Sequence, residues 1–150
     1  MADIQVEKVA HIGVPVTDME RSLKFYRDAL GLKYLFTREV SGDHISGGVQ
    51  VPDARIQITL LEAGNTVIEL LQYLHPPGRP FDRQNNDAGS MHLTFTVTDI
   101  QGAYERLQEL GHPVNQDPYP SSHPEGWAWF YARDPDGMTV EFNGPISQDS

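Results

Sequence analysis

Alternating apolar and polar positions along the chain predict strands, and apolar residues at helical spacing predict two helices. Four strands are predicted in the first half, at about residues 6–16, 34–40, 56–62 and 66–74. A helix follows the first of them, because Thr17 and Glu20 can form a capping box and Gly31 can end the helix. The glycine-rich residues 41–48 predict a loop. This half of the chain is therefore predicted as βαβββ.

The same pattern begins again after a linker at about residues 75–90. A second capping box at Thr98 and Gln101 predicts a helix that ends at Gly111. Strands are predicted around it, at about residues 91–97, near Val114, and at 127–132 and 138–143. The second half is therefore predicted as βαβββ as well.

Short motifs recur at matching places in the two halves. Val16-Thr17-Asp18 returns as Val97-Thr98-Asp99, and His11 corresponds to His92. Repeats of this kind indicate a duplicated structural unit. We expect an α+β protein in which two βαβββ modules form a curved mixed sheet around a cleft. The modules extend over about residues 6–74 and 91–143 of a single 150-residue domain.

Composition limits the classes of partner and cofactor. Asp and Glu number 21 against 11 Lys and Arg, and the resulting net charge of -10 opposes binding to nucleic acid or to an anionic membrane. The absence of cysteine excludes disulfides and cysteine-ligated zinc. No stretch resembles a signal peptide or a bilayer span. We expect a cytoplasmic protein whose partner is a small molecule.

Four metal-competent side chains lie within apolar predicted strands. His11 and Glu69 of the first module correspond to His92 and Glu141 of the second, and alternation puts each one opposite its strand's apolar face. Imidazole and carboxylate ligands suit a divalent first-row metal, and a cation would offset the cost of burying two carboxylates together. Any one of the four alone would be interpreted as an ordinary structural or surface residue of a strand. Their recurrence in a repeat predicts a metal site.

Three sequence motifs resemble those of a known family. They are His-Ile-Gly-Val at 11–14, the segment 22–32, and Asp-Pro-Asp-Gly at 134–137 followed by Val-Glu-Phe at 140–142. Over about residues 6–143 the chain resembles the vicinal oxygen chelate superfamily. That superfamily includes glyoxalase I, methylmalonyl-CoA epimerase, type I extradiol dioxygenases, and bleomycin- and fosfomycin-resistance proteins. The resemblance also implies a homodimer.

The resemblance implies a metal and disfavours one cosubstrate. The metal ligands it implies are the His/Glu/His/Glu set of bacterial glyoxalase I, namely His11, Glu69, His92 and Glu141. The expected ion is nickel, cobalt, manganese or zinc. Pro15 and Tyr73 stand where those enzymes usually have the Arg and Asn that hold glutathione, so glutathione is not predicted here. The epimerases usually have Gln in place of Glu69.

The implied reaction is proton abstraction next to a metal-chelated carbonyl, in a lyase or isomerase of the glyoxalase or epimerase type. Glu141 or Glu69 would be the catalytic base. The alternative enzyme is an extradiol-type dioxygenase with iron held by His11, His92 and Glu141. Glu69 argues against it, because a fourth protein ligand closes a position that oxygen and substrate need. A metal-free protein that binds a drug or a metabolite is the third reading.

Four residues are expected to contact the substrate. The resemblance places the counterparts of Trp129 and Tyr131 on the pocket wall, and Tyr73 takes the position of a substrate-holding residue. His123 lies in a loop expected at the mouth of the cleft. The competing readings are core aromatic residues for Trp129 and Tyr131, and a solvated histidine for His123.

Overall fold

The computed structural model describes residues 4–146, and the chain divides into two compact units between Arg79 and Pro80. The N-terminal unit contains four strands: Ile12–Val16 (β1), Lys33–Ser41 (β2), Arg55–Ala63 (β3) and Thr66–His75 (β4). They form one sheet in the order β1-β4-β3-β2. The first and last strands are parallel neighbours, and the other pairs are antiparallel.

The C-terminal unit repeats this topology. Its strands are Leu93–Thr96 (β5), Tyr119–Pro120 (β6), Trp127–Arg133 (β7) and Thr139–Pro145 (β8). They form a sheet in the order β5-β8-β7-β6, again with the first and last strands parallel. The predicted α+β class with a duplicated module is confirmed.

Each unit has one main helix after its first strand. Helix α1 (Met19–Leu23) continues into a π-helical segment, Lys24–Ala29, and α3 covers Ile100–Glu109. The predicted caps Thr17 and Thr98 are wrong by one residue. The carboxylates of Asp18 and Asp99 cap the helices instead, accepting hydrogen bonds from backbone amides three residues on. Within residues 4–146 no helix is long and apolar enough to cross a membrane.

The main helix of each unit packs on one face of its sheet. In the N-terminal unit the fully buried large side chains on that face include Phe25 and Tyr26 of the π-helical segment, Leu61 of β3, and Ile68 and Leu70 of β4. Glu69 lies between two of these buried positions on β4. Since side chains alternate along a strand, Glu69 belongs to the opposite face.

The C-terminal unit shows the same alternation on β7. Its even-numbered residues Ala128, Phe130 and Ala132 are buried. Phe130 meets Tyr104 of α3 edge-on at a centroid distance of 5.5 Å, and it stacks on Phe142 of β8 at 5.2 Å. The odd-numbered residues of β7 therefore lie on the face away from α3.

The first strand of each unit is shorter than predicted. Residues 6–11 and Met91 lie outside β1 and β5, so His11 and His92 precede their strands instead of lying within them. In the strand register, Ile12 pairs with Ile68, the third residue of β4, and Leu93 pairs with Val140, the second residue of β8.

The predicted loop at residues 41–48 is mostly a helix, α2 (Asp43–Val49). Its Ile45 packs on the apolar cluster built from Ala54, Ile56 and Ile58, and this burial outweighs the low helix propensity of its two glycines. In the second unit the strand predicted near Val114 is a single bridge to Ala132. The paired strand is Tyr119–Pro120 (β6), which no alternation could indicate because it has two residues.

Candidate functional site

The N-terminal unit brings His11 and Glu69 together. Nε2 of His11 lies 3.3 Å from Oε2 of Glu69. The Glu69 side chain is 16% exposed and that of His11 is 51% exposed. The strand neighbours of Glu69 are Gly13 on β1 and Leu60 on β3, neither of which has a polar side chain. His11 is therefore the polar side chain that supports Glu69.

The C-terminal unit forms the corresponding pair from His92 and Glu141. Nε2 of His92 lies 3.0 Å from Oε2 of Glu141, and the hydroxyl of Thr94 donates to the same oxygen at 3.4 Å. The strand neighbours of Glu141 are Thr94 on β5 and Tyr131 on β7. Glu141 thus has two polar supports.

One topological cause produces both pairs. In each unit the histidine directly precedes the first strand, and the glutamate lies in the last strand, which is the parallel neighbour of the first. The structure thus brings the four predicted ligands together as two pairs, one within each unit. Within residues 4–146 no three His, Asp or Glu side chains form a ready metal cluster, so the four-residue site remains a prediction.

The geometry of each pair fits two ligands of one metal ion. Two donor atoms, each about 2.1 Å from an ion and at right angles to each other, are about 3.0 Å apart. The observed separations between imidazole nitrogen and carboxylate oxygen are 3.3 and 3.0 Å. The nitrogen and oxygen donors are also those that a divalent first-row metal accepts. Each pair corresponds to half of the four-ligand set that the sequence predicts.

A row of aromatic side chains leads to Glu141 in the C-terminal unit. Trp129 lies between Tyr119 at a centroid distance of 5.9 Å and Tyr131 at 5.2 Å, and Tyr131 lies 5.5 Å from the His92 ring. We call Tyr119, Trp129 and Tyr131 the aromatic row. The strand register puts it on the face that bears Glu141, since Tyr131 pairs directly with that residue.

Polar side chains flank the aromatic row. Asn143 pairs across the sheet with Trp129, and its carboxamide oxygen accepts a hydrogen bond of 2.8 Å from the Thr96 hydroxyl. Thr96 and Asn143 were not among the predicted substrate residues. Strand alternation puts both on the face of Glu141, so the sequence pattern was sufficient to identify them as residues of this face. No such pattern indicates Tyr119, because β6 has only two residues.

The other two predicted substrate residues lie in different settings. Tyr73 packs on the apolar cluster of Ala54, Ile56 and Ile58, on the same face of β4 as Glu69. His123 lies in the loop between β6 and β7, where its backbone amide and carbonyl both bond to the Ser121 hydroxyl. A substrate role for either residue remains a prediction.

Comparisons with known proteins agree on one family. Residues 8–142 match the family model described as "Glyoxalase/Bleomycin resistance protein/Dioxygenase superfamily". The chain is 29% identical to the 2-epi-5-epi-valiolone epimerase of Actinomyces sp over 89% of its length and 76% of the relative's. It is 27% identical to the ethylmalonyl-CoA/methylmalonyl-CoA epimerase of Cereibacter sphaeroides over 91% and 96% of the two chains.

A solved structure supports the same fold. The crystal structure of a glyoxalase family protein from Bacillus cereus superposes with a TM-score of 0.85 at 20% identity, over 98% of this chain and 99% of that one. The family model covers nearly all the strands and helices described above. The protein therefore belongs to the glyoxalase/bleomycin resistance protein/dioxygenase superfamily.

Proposed function

We propose that this protein is a divalent-metal-dependent lyase or isomerase that abstracts a proton next to a carbonyl group. The observation that carries the proposal is the pair of equivalent His–Glu contacts, 3.3 and 3.0 Å long, at the same position of each repeated unit. A duplicated fold has no structural need for two such polar pairs on its sheets. A metal ion bound by both pairs would explain why each unit has one.

Each unit contributes one imidazole nitrogen and one carboxylate oxygen to the proposed site. The histidines, His11 and His92, would hold the ion throughout the reaction. When bound, the ion would polarise the substrate carbonyl and stabilise the negative charge that develops on its oxygen. The two glutamates, Glu69 and Glu141, have the additional capacity to accept and return a proton.

The surroundings of the two carboxylates suggest a division of this work. Within residues 4–146, Glu141 has polar side-chain contacts with both His92 and Thr94, whereas Glu69 has one, with His11. With fewer contacts to break, Glu69 is the better candidate to take the proton from the carbon next to the carbonyl. Return to the opposite face of that carbon gives an epimer, and return to the neighbouring carbon gives an isomer.

The two relatives named as epimerases support a proton-transfer reaction. The dioxygenase alternative would use His11, His92 and Glu141, and it gives Glu69 no role. Glu69 is nonetheless in the same arrangement with its histidine as Glu141. The equivalence of the two glutamates therefore favours the lyase or isomerase.

Metal analysis together with isotope exchange tests the proposal. The protein is purified without chelator, its metal content is measured, and it is incubated in deuterium oxide with 2-methyl thioesters and α-hydroxy ketones. We expect stoichiometric nickel, cobalt, manganese or zinc, and uptake of deuterium next to a carbonyl. Oxygen consumption with a catechol and an iron-loaded protein would instead support the dioxygenase. Absence of metal from freshly purified active protein would contradict the proposal.

We further propose a homodimer with two equivalent sites. Light scattering should give twice the chain mass of 16.8 kDa. Mixing two inactive variants then asks how the pairs combine. If the His11 pair of one chain joins the His92 pair of another, His11→Ala mixed with Glu141→Gln restores one intact site per dimer. If both pairs belong to one chain, the mixture stays inactive. A fully active monomer would disprove the dimer.

A further inference from the structure

We infer that Arg38 of the N-terminal unit is a substrate-binding residue, which holds a carboxylate or phosphate group of the substrate across an aliphatic floor from Glu69. The inference rests on the proposed function only in taking Glu69 as the base. Its structural basis is the position of Arg38 on the face of the sheet that bears Glu69, and the lack of an ion-pair partner for it within residues 4–146.

The strand register places Arg38 and Glu69 on one face of the N-terminal sheet. Phe36 on β2 pairs with Leu60 on β3, and Leu60 pairs with Glu69 on β4. Cross-strand partners lie on the same face of a sheet. Arg38 is two residues from Phe36 on the same strand, so alternation puts it on this face as well.

The Arg38 side chain is directed along β2 towards the row of Glu69. Its guanidinium carbon, Cζ, lies 5.9 Å from the centroid of the Phe36 ring, and Phe36 belongs to that row. Since β2 is two strands from β4, the two ends of the row are roughly 10 Å apart. An anionic group held by Arg38 is therefore expected roughly three to six bonds from the carbon that reacts at Glu69.

Arg38 differs from the other cations of its neighbourhood because no carboxylate neutralises it. The ammonium group of Lys33 lies 2.8 Å from Glu62. The guanidinium of Arg55 lies 3.6 Å from Glu39. Arg38 is exposed and has no hydrogen bond or ion pair with any part of the chain that the structure describes. A guanidinium holds a carboxylate or a phosphate through two parallel hydrogen bonds, so it is suited to an anionic ligand.

The surface between the anion-binding group and the base is aliphatic. Leu60 lies directly between Phe36 and Glu69, and Leu71 follows Glu69 on the same face of β4. Both leucines are partly buried and pack against the apolar cluster that Ile45 of α2 covers. An apolar floor with a few oriented polar groups is the composition of a small-molecule site. The expected ligand therefore has an anionic group, a short aliphatic segment and a carbonyl group.

Protection of the sheet edge is the competing explanation for Arg38. Edge strands often carry charged side chains that prevent pairing with another chain, and β2 is an edge strand. Lys33 and Glu39 already supply charges on this strand. If edge protection were the only role of Arg38, its replacement would promote association of the protein and leave ligand binding unchanged.

Binding of matched anionic and neutral α-hydroxy ketones tests the inference. The anions are 5-hydroxy-4-oxopentanoate and dihydroxyacetone phosphate, whose carboxylate and phosphate lie within the expected number of bonds from the reacting carbon. Their neutral counterparts are the methyl ester of the former and dihydroxyacetone. Calorimetry on the full chain, purified without chelator, should show saturable binding of an anion and binding of its neutral counterpart that is weaker by about tenfold or more.

Variants of β2 identify the contact. Arg38→Gln should weaken binding of the anions by about tenfold and leave the methyl ester unchanged, and Arg38→Lys, which keeps the charge but not the fork, should recover part of the loss. The matched control is Lys33→Gln, which removes the same charge from the same strand but from a cation that Glu62 already neutralises. In deuterium exchange of the anions, Arg38→Gln should raise KM and leave kcat nearly unchanged.

The outcomes separate this inference from the proposed function. If the ester binds as tightly as the acid, or if Arg38→Gln binds the anions as the wild type does, Arg38 is not the anchor, while deuterium exchange of a neutral α-hydroxy ketone still supports the function. If an anion binds through Arg38 and no carbonyl compound exchanges deuterium, the function is wrong and the anion site stands. Failure of both anions to bind the wild type would overturn the inference.

Discussion

The two units share one topology but surround their His–Glu pairs differently. In the N-terminal unit the neighbours of Glu69 across the sheet are Gly13 and Leu60. In the C-terminal unit Glu141 lies between Thr94 and Tyr131. The pairing of first and last strands, which brings each histidine to its glutamate, is the same in both units. The cross-strand neighbours have diverged: those of Glu69 have no polar side chain, whereas those of Glu141 are a threonine and a tyrosine.

The sheet edges diverge further. The edge strand β2 has nine residues, and its sheet carries an apolar cluster covered by Ile45 of α2. The corresponding edge strand of the C-terminal unit, β6, has two residues and contributes Tyr119 to the aromatic row. One sheet therefore carries an aliphatic cluster and the other an aromatic row. The comparison can be tested residue by residue.

The largest expected effect separates the two glutamates. Glu69→Gln keeps an oxygen donor but removes the basicity, so we expect metal to be retained and deuterium exchange to fall by about 10²–10⁴-fold. Glu141→Gln weakens the better-supported ligand, so we expect loss of tight metal binding. Metal content and exchange rate are measured on both variants. Unchanged exchange in a metal-loaded Glu69→Gln protein would transfer the base role to Glu141.

The next effect concerns stability and compares two glycines. A Cβ on Gly144 would overlap the backbone carbonyl oxygen of Val97, which cannot move away cheaply. A Cβ on Gly13 would meet the flexible Cδ1 of Leu71 at 3.2 Å. We expect Gly144→Ala to lower the free energy of unfolding by roughly 1–3 kcal/mol and Gly13→Ala by less. Urea unfolding measures both, and equal losses would contradict the difference.

A smaller effect tests the polar support of Glu141. Thr94→Val removes the hydroxyl that donates to Glu141 at 3.4 Å and keeps the shape of the side chain. We expect metal affinity to fall by about tenfold, as for other groups that orient a ligand. Thr96→Val removes a hydroxyl that bonds to Asn143 instead, and is the matched control. Competition with a chelator gives both affinities. Equal affinities would show that Thr94 does not support the ligand.

The smallest effect is a pH dependence confined to the C-terminal unit. Burial lowers the pKa of His112 below its ordinary value of 6.5, so the folded state favours the neutral ring. The unfolded chain takes up a proton first as pH falls, and the free energy of unfolding should therefore decrease as pH drops through 6.5. Leu32 occupies the equivalent place after Gly31. His112→Leu should flatten the profile, and an unchanged profile would exclude His112 as its source.

Strand alternation and the repeat predicted most of what positions the site. His11, Glu69, His92 and Glu141 were assigned to sheet faces from their neighbours in the sequence, and the structure pairs them within each unit. Periodicity could not indicate that β1 and β5 begin after the histidines. That boundary depends on where a partner strand starts, which is a non-local property.

Local propensity failed where packing or a single bond decided the structure. The glycines of residues 41–48 predict a loop, but Ile45 finds an apolar cluster that only the folded sheet provides. The observed helix caps are one residue later than predicted, at Asp18 instead of Thr17 and at Asp99 instead of Thr98. Both types of side chain can cap a helix, so the sequence left the choice open.

The parallel pairing of first and last strands also bears on the order of folding. His92 and Glu141 are 49 residues apart in the chain, and β5 cannot pair until β8 has been made. Contacts of such long sequence separation form slowly, because loop closure costs entropy before the contact contributes. The N-terminal unit has all its strands before Arg79, so it can close its own pair while the rest of the chain is still being synthesised.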